Sequence, residues 1–372
     1  MKKLSGLASG MLRYDRIIGT GGIGTGIVFS LEGDHTLGRN ESRLAIMEPY
    51  HDYCKLHIIM HYVSILLGAH PAGPFRSIPI GAVGLDDAGK KLLVQMEQAG
   101  MDKRYVREDG QSGTLYSVCY QYPDHSGGNI TARNSASNQV SPGDIDAFFE
   151  DIGTQVGEGI IVSVPEVPLE TRIRLLQQGR QRGYLNAAAV LSSETAEFKA
   201  LGGLDVTDLL ALNMDEARSM AALSDETTDA DIIVNRCIKL LSRANPGITV
   251  LITDGARGSH CFHDGVLEQR PVIPAEVVST AGAGDAFLAG TITGICCGLP
   301  WMKGASGDPL RGASLDSAPD LGTLLASLSV TSPDTIHMGI DACSLLDYAK
   351  SKGLALSGAF QAVFRECLAE SL

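Results

Sequence analysis

The apolar positions of this chain keep two rhythms, and the second half shows them most plainly. Short apolar runs recur at Ile160 to Val164, Tyr184 to Val190, Leu209 to Asn213 and Thr249 to Thr253. Stretches with helical spacing lie between them, at Leu169 to Arg182, Asp215 to Leu223 and Asp229 to Arg243. Ser259 to His263 pairs with a short return strand. Such alternation predicts a parallel sheet with helices on both faces. Ligands of such sheets bind beyond the carboxyl ends of the strands. Three segments fall there: Asn213 to Glu216, Thr253 to Gly258 and Ser279 to Asp285.

The first half is less regular. Tyr14 to Ile18 predicts a strand that runs into Gly19-Thr20-Gly21-Gly22-Ile23-Gly24, a match to G-x-G-x-x-G. That fingerprint needs a helix after it to hold a pyrophosphate. Here Thr25 to Leu31 is a second strand, so the glycines line a strand crossing beside a pocket. Tyr50 to Leu67 has helical spacing, and His57 and His61, one turn apart, belong to the core or a pocket wall. Asp52 and Lys55 near its start suit either a pocket or a solvated face. Ser77 to Val83 is a strand, followed by an acidic turn and the helix Ala88 to Ala99, stopped by Gly100. The near match of Gly84 to Lys91 to a P-loop is coincidental, because acids occupy the phosphate positions. Thr114 to Tyr122 and Asn129 to Arg133 predict a hairpin around Pro123 to Gly128. A helix begins at Ser141-Pro142-Gly143-Asp144. Val272 to Val278 has the pattern of a strand, Trp301 to Pro319 that of a surface loop, and Leu321 to Thr331 and Asp341 to Lys350 those of helices.

Composition narrows the classes. The 372 residues allow one large α/β domain or two ordinary ones. A net charge of −13 argues against a nucleic-acid partner, and no basic run suits an anionic membrane. No apolar run reaches membrane length, and the opening Met1 to Leu12 is too interrupted for a signal peptide. The eight cysteines are scattered without a C-x-x-C pair, which predicts reduced thiols and a cytoplasmic protein.

The chemistry concentrates in Ser279-Thr280-Ala281-Gly282-Ala283-Gly284-Asp285, which leads into Ala286-Phe287-Leu288-Ala289-Gly290. A glycine-rich turn opening a helix presents unpaired N–H groups and the positive end of the helix dipole. That is an anion site. A carboxylate beside an anion invites proton chemistry, so Asp285 is expected to take a proton from an attacking hydroxyl while the turn holds a transferring phosphoryl group.

These segments, in this order, resemble the ribokinase-like (PfkB) family of carbohydrate kinases. The late D-T-x-G-A-G-D signature stands as Ser279 to Asp285, the N-x-x-E as Asn213-Met214-Asp215-Glu216, and the T-x-G-x-x-G loop as Thr253-Asp254-Gly255-Ala256-Arg257-Gly258. Val83 to Gly89 is similar to the family's V-G-x-D-x-x-G. The resemblance, over roughly residues 14 to 350, implies a single three-layer α/β/α sandwich with a mostly parallel sheet. It also implies a small β lid at about 27–44 and 114–133, through which such chains often form homodimers. It implies Asp285 as general base, with Gly282, Ala283 and Gly284 as the anion hole. Asn213, Thr253, Gly255, Gly258 and Thr280 would contact the nucleotide, and Glu216 with Asn213 would organise Mg²⁺ through water. ATP and a small hydroxylated acceptor, a sugar or sugar derivative, are the implied ligands. The Asn213–Glu216 pair could equally close a capping box.

The acceptor side departs from the pattern. Gly24 and Gly26 stand where the family carries an Asn and a sugar-gripping Asp, and Ser279 replaces an acid, which weakens a monovalent-cation site. Substrate contacts are therefore expected from Gly24, Gly26, Asp52 and Arg133, with Glu32 or Asp34 as possible replacements for the missing acid. A kinase-like binder without catalysis, a nucleoside kinase and a nicotinamide oxidoreductase resting on Gly19 to Gly24 are the competing functions.

Overall fold

The structure, a computed structural model, describes residues 2–124, 127–153, 158–302 and 314–369. The chain opens with β1 (Arg16–Thr20), β2 (Gly24–Leu31), β3 (Ala45–Met47), β4 (Asp52–Tyr53), α1 (Lys55–Leu67), β5 (Arg76–Gly84) and α2 (Asp87–Gln98). It continues with β6 (Val106–Asp109), β7 (Leu115–Gln121), β8 (Gly127–Thr131), α3 (Pro142–Ile152), β9 (Gly159–Ser163), α4 (Leu169–Gln181), β10 (Leu185–Ala189) and α5 (Thr195–Ala200). Then come β11 (Leu209–Asn213), α6 (Met214–Met220), α7 (Ala230–Ala244), β12 (Thr249–Thr253), β13 (Ser259–His263), β14 (Val266–Arg270) and α8 (Ala283–Cys297). The chain closes with β15 (Ser314–Leu315), α9 (Ala318–Ser329), α10 (Ala342–Ser351), β16 (Ala355–Leu356), α11 (Gly358–Val363) and α12 (Arg365–Leu368).

Nine strands form the central sheet in the order β14-β13-β12-β11-β10-β9-β1-β5-β6, all parallel except the β12-β13-β14 meander at one edge. Its strands are nearly continuous apolar runs, as burial on both faces requires. One core cluster joins the sheet to α1, α8, α9 and α10, and a second packs its other face under α3, α4, α6 and α7. This is the expected three-layer arrangement. Among the described residues no helix is long and apolar enough to cross a membrane.

A second sheet, β3-β2-β7-β8 with β4 on the side of β2, stands apart as a lid. The hairpin β7–β8 forms as expected, although His125 and Ser126 at its tip lie outside the described residues. β2 pairs parallel with β7, and of the expected lid segment at about 27–44 only 27–31 lie in a strand; 32–44 follow without one.

Four further expectations are corrected. The helix read from Tyr50 begins at Lys55, because Asp52 and Tyr53 pair with Gly26 and Thr25 instead. Val272 to Val278 is not a strand. Pro271 and Pro274 cannot donate to a ladder, and the segment lies over α9, where the Ser327 hydroxyl donates to the Ile273 carbonyl at 2.6 Å. Two of the eight cysteines are not free: α10 and α12 bring Cys343 and Cys367 to a Cα separation of 5.3 Å and they are disulfide-bonded, a proximity their spacing of 24 residues hides. Residues 303–313 of the expected surface loop lie outside the described residues, and the rest of it enters β15 and α9.

Candidate active site

Gly282 carries the turn. It caps α8 with φ +76°, a left-handed conformation, and glycine adopts it without penalty. A Cβ there would stand 2.8 Å from the Thr335 carbonyl oxygen, so the turn is also pressed against the 334–335 segment. The first turn of a 15-residue helix leaves N–H groups without intrahelical partners. Ala283 differs from expectation: its N–H donates to the Thr280 carbonyl at 3.2 Å. The Gly282 and Gly284 N–H groups make no hydrogen bond among the described residues, so they are the donors ready for an anion.

Asp285 follows on the same turn, with its side chain 14% exposed and its Oδ1 3.7 Å from the Lys55 ammonium. Burial raises its pKa, and the Lys55 charge pulls it back. Lys55 is raised in turn, first by Asp285 and against its own burial. The position read as either pocket or solvated face is thus a partly buried cation paired with the candidate base.

Glu166 is the functional candidate that sequence reasoning passed over. It lies just beyond the carboxyl end of β9, held at φ +81°. A non-glycine residue there is uncommon and marks a constrained site. Its carboxylate lies over the backbone of Gly22, and Oε2 is sealed from solvent with no partner among the described residues. Burial pushes its pKa up to about 7 against the pull of Lys55. The strand-end rule that selected Asn213 and Thr253 would have selected Glu166 as well.

On the other side of the turn, Thr253, Gly255, Gly258, Thr280, Ala283 and Gly284 line one cavity of about 460 Å³, closed above by Val272 to Val277. Gly255 and Gly258 have φ +53° and +97°, and Asn213 pairs with Thr253 across β11 and β12. Asn213 and Glu216 form the capping box: Asn213 Oδ1 accepts from the Glu216 N–H and Glu216 Oε2 from the Asn213 N–H, each at 2.8 Å. Burial raises the Glu216 pKa, and Lys55 opposes it.

The expected acceptor residues separate. Gly24, Gly26 and Asp52 are buried on one face of the lid. Arg133 is exposed just beyond β8. Glu32 and Asp34 are exposed in the 32–44 segment. His57 and His61 are buried, and desolvation lowers both, to about 3 and about 4, as for neutral core histidines.

Residues 69–343 match the model of the pfkB family of carbohydrate kinases, which shows that the chain belongs to that family. It is 28% identical over 231 residues to a fructokinase of Klebsiella pneumoniae, covering 59% of this chain and 72% of that protein. It is 25% identical to a ribokinase of Lactococcus lactis, covering 56% of this chain and 62% of the relative, and 26% identical to a bifunctional ribokinase/ribose-5-phosphate isomerase A of Fructilactobacillus sanfranciscensis, covering 56% and 37%. The chain therefore spans less than two thirds of the length of two of these three relatives. Among solved structures, a ribokinase of Cryptococcus neoformans in complex with ADP superposes with a TM-score of 0.66 at 15% identity, covering 90% of this chain and 99% of that one. A Burkholderia thailandensis nucleoside kinase in complex with inosine gives 0.65 at 16% identity, covering 91% and 99%. The fold is ribokinase-like.

Proposed function

We propose that this chain is an ATP-dependent phosphotransferase that moves the γ-phosphoryl group of ATP to a hydroxyl group of a small sugar or sugar derivative. Family membership supports the class of chemistry. The observation that carries the reading is the junction at Asp285: a mostly buried carboxylate and its paired lysine follow the open N-terminus of α8, whose Ala283 and Gly284 line a cavity together with the Thr253 to Gly258 loop. Asp285 would accept the proton of the attacking hydroxyl as its oxygen bonds to phosphorus and ADP leaves. The Gly282 and Gly284 N–H groups and the helix dipole would hold the phosphoryl oxygens. Phosphoryl transfer draws most of its rate from such positioning and charge stabilisation. Lys55 opposes the desolvation of Asp285 and so favours the ionised form that a base needs.

One buried carboxylate beside a phosphate site is the donor set that a hydrated Mg²⁺ uses. Glu216, and Asn213 through water, would hold that ion with the ATP phosphates, and it would neutralise charge on the transferring group. Met47, Tyr116 and Ile130 expose apolar surface on the outer face of the lid, which favours a homodimer through the lid.

The test is ADP release from Mg-ATP across a panel of sugars, nucleosides and vitamin precursors. Release that depends on one acceptor class is expected. ATP binding with no release for any acceptor would instead identify a kinase-like binding protein.

A further inference from the structure

The lid strand over the acceptor side is bare backbone. Gly26 of β2 pairs with Ser117 of β7, and a Cβ on Gly26 would stand 2.6 Å from the Ser117 carbonyl oxygen and 2.1 Å from its Oγ. No side chain fits there unless the two strands separate. Side-chain chemistry on this face must come from the neighbours of β2.

Strand β4 supplies it. Asp52 pairs antiparallel with Gly26, and residues directly opposite in such a pair share a face. Asp52 Oδ2 lies 3.0 Å from where the Gly26 Cβ would be, so its carboxylate takes the space that a side chain on Gly26 would have claimed. The Ser117 hydroxyl and the Cys119 thiol both donate to this Oδ2, the latter at 3.3 Å. The residue is only 7% exposed. Its strand is also tied to the catalytic turn. The His51 N–H donates to Asp334 Oδ1 at 2.6 Å and the Tyr53 N–H to Thr335 Oγ1 at 2.8 Å, and the Thr335 carbonyl abuts Gly282.

Charge around this space is lopsided. Lys55 and Asp52 act on Asp285, and Lys55, Asp285 and Asp52 act on Glu166. Asp285, Glu166 and Glu216 all draw on the Lys55 ammonium, which is engaged by Asp285, and the nearest other cation, Arg172, is held by Glu194. A carboxylate fixed by two donors still has acceptor capacity for hydroxyl groups, and hydrogen bonds to an ionised acceptor are the strong ones. An anion brought among these groups meets the like charge of the Asp52 and Asp285 carboxylates.

We propose that Asp52 is the lid's acceptor-gripping residue and that, with Asp285 and with Glu166 against Gly22, it selects an uncharged polyol over any acceptor bearing a phosphate or carboxylate. The inference rests on the kinase reading of Asp285 and narrows its substrate class. The test uses matched pairs that differ by one anionic group, such as fructose and fructose 6-phosphate, ribose and ribose 5-phosphate, glucose and gluconate. Each is measured twice on the full chain: ADP release with Mg-ATP, and thermal shift with Mg and a non-hydrolysable ATP analogue.

At least one neutral member should bind or turn over, with its charged partner weaker by about 100-fold, as like-charge exclusion in a buried site requires. Asp52→Asn should raise KM for the neutral acceptor about 10-fold, as loss of a charged hydrogen bond does, change kcat little, and narrow the gap to the charged partner. A residue that only braces the lid would leave that gap unchanged. Preference for the charged members, no binding of any neutral member, or an Asp52→Asn variant with an unaltered gap would overturn the proposal. The matched pairs on the unmodified chain decide the question even if the variant misfolds. Neutral binding without ADP release would sink the kinase reading and keep the charge selection; turnover of charged members would do the reverse.

Discussion

The two halves of the proposed site are built by different means. The proposed donor half is mostly backbone: the glycine turn at 282–284, the loop from Thr253 to Gly258 and, beside them, the side-chain capping box at Asn213 and Glu216 are each a few consecutive residues. The acceptor half is side chain: Asp52 from β4, Ser117 and Cys119 from β7, Glu166 after β9 and Lys55 at the head of α1, brought together over more than a hundred residues of sequence. A backbone anion site depends on conformations that only particular residues allow, so it keeps its motif. A side-chain site can be rebuilt from a neighbouring strand, as the bare Gly26 and the adjacent Asp52 illustrate.

Substitutions should therefore act differently on the two halves. Gly282→Val forces a β-branched residue into a left-handed conformation and against the Thr335 carbonyl. Turnover should fall by about 100-fold, the usual cost of losing a placed anion-hole donor, with weaker ATP binding by calorimetry. Unchanged ATP binding would place the anion site elsewhere.

Lys55→Met has a smaller effect and a direction. Removing the cation leaves Asp285 more desolvated than compensated, so its pKa rises beyond its already raised position. The acid limb of kcat/KM should move to higher pH, with turnover near neutrality falling by about 10-fold. A shift toward lower pH would contradict the pairing of Lys55 with Asp285.

Glu166→Gln separates stability from activity. The folded-state pKa of Glu166 is raised from 4.5 to about 7, so its protonated form is favoured by the fold. That contribution is complete below the ordinary carboxylate range and is lost as pH rises through about 7. The Gln variant should thus be more stable than the parent at pH 8, by about 1–3 kcal/mol, and nearly equal to it at pH 4. Turnover should fall, since strained functional sites commonly trade stability for activity. Denaturant melts at the two pH values check the sign; equal differences at both would show that Glu166 is not the buried acid described above.

The same division explains what was legible in the sequence. The parallel sheet, the helices on both faces and the donor motifs could be read because apolar rhythm and glycine spacing are local properties. Asp52 was named but placed at the start of a helix, since a two-residue pairing with β2 leaves no periodic pattern. Glu166 gave no pattern at all, although Pro165-Glu166 stands at a strand end of the kind already chosen elsewhere. Val272 to Val278 carried strand-like residues, but its prolines and its place over α9 kept it out of the sheet.

Asp285 is where the two halves meet, and Asp285→Asn tests the account most directly. The change keeps the shape of the side chain and removes its capacity as a base. Mg-ATP affinity and acceptor-dependent ADP release should be measured on the same preparation. Release should fall by at least about 1,000-fold, the upper range for loss of a positioned base, while the ATP dissociation constant stays within about threefold of the parent value. Retained release, or loss of ATP binding in step with turnover, would contradict the assignment of Asp285 as the base between a nucleotide half and an acceptor half.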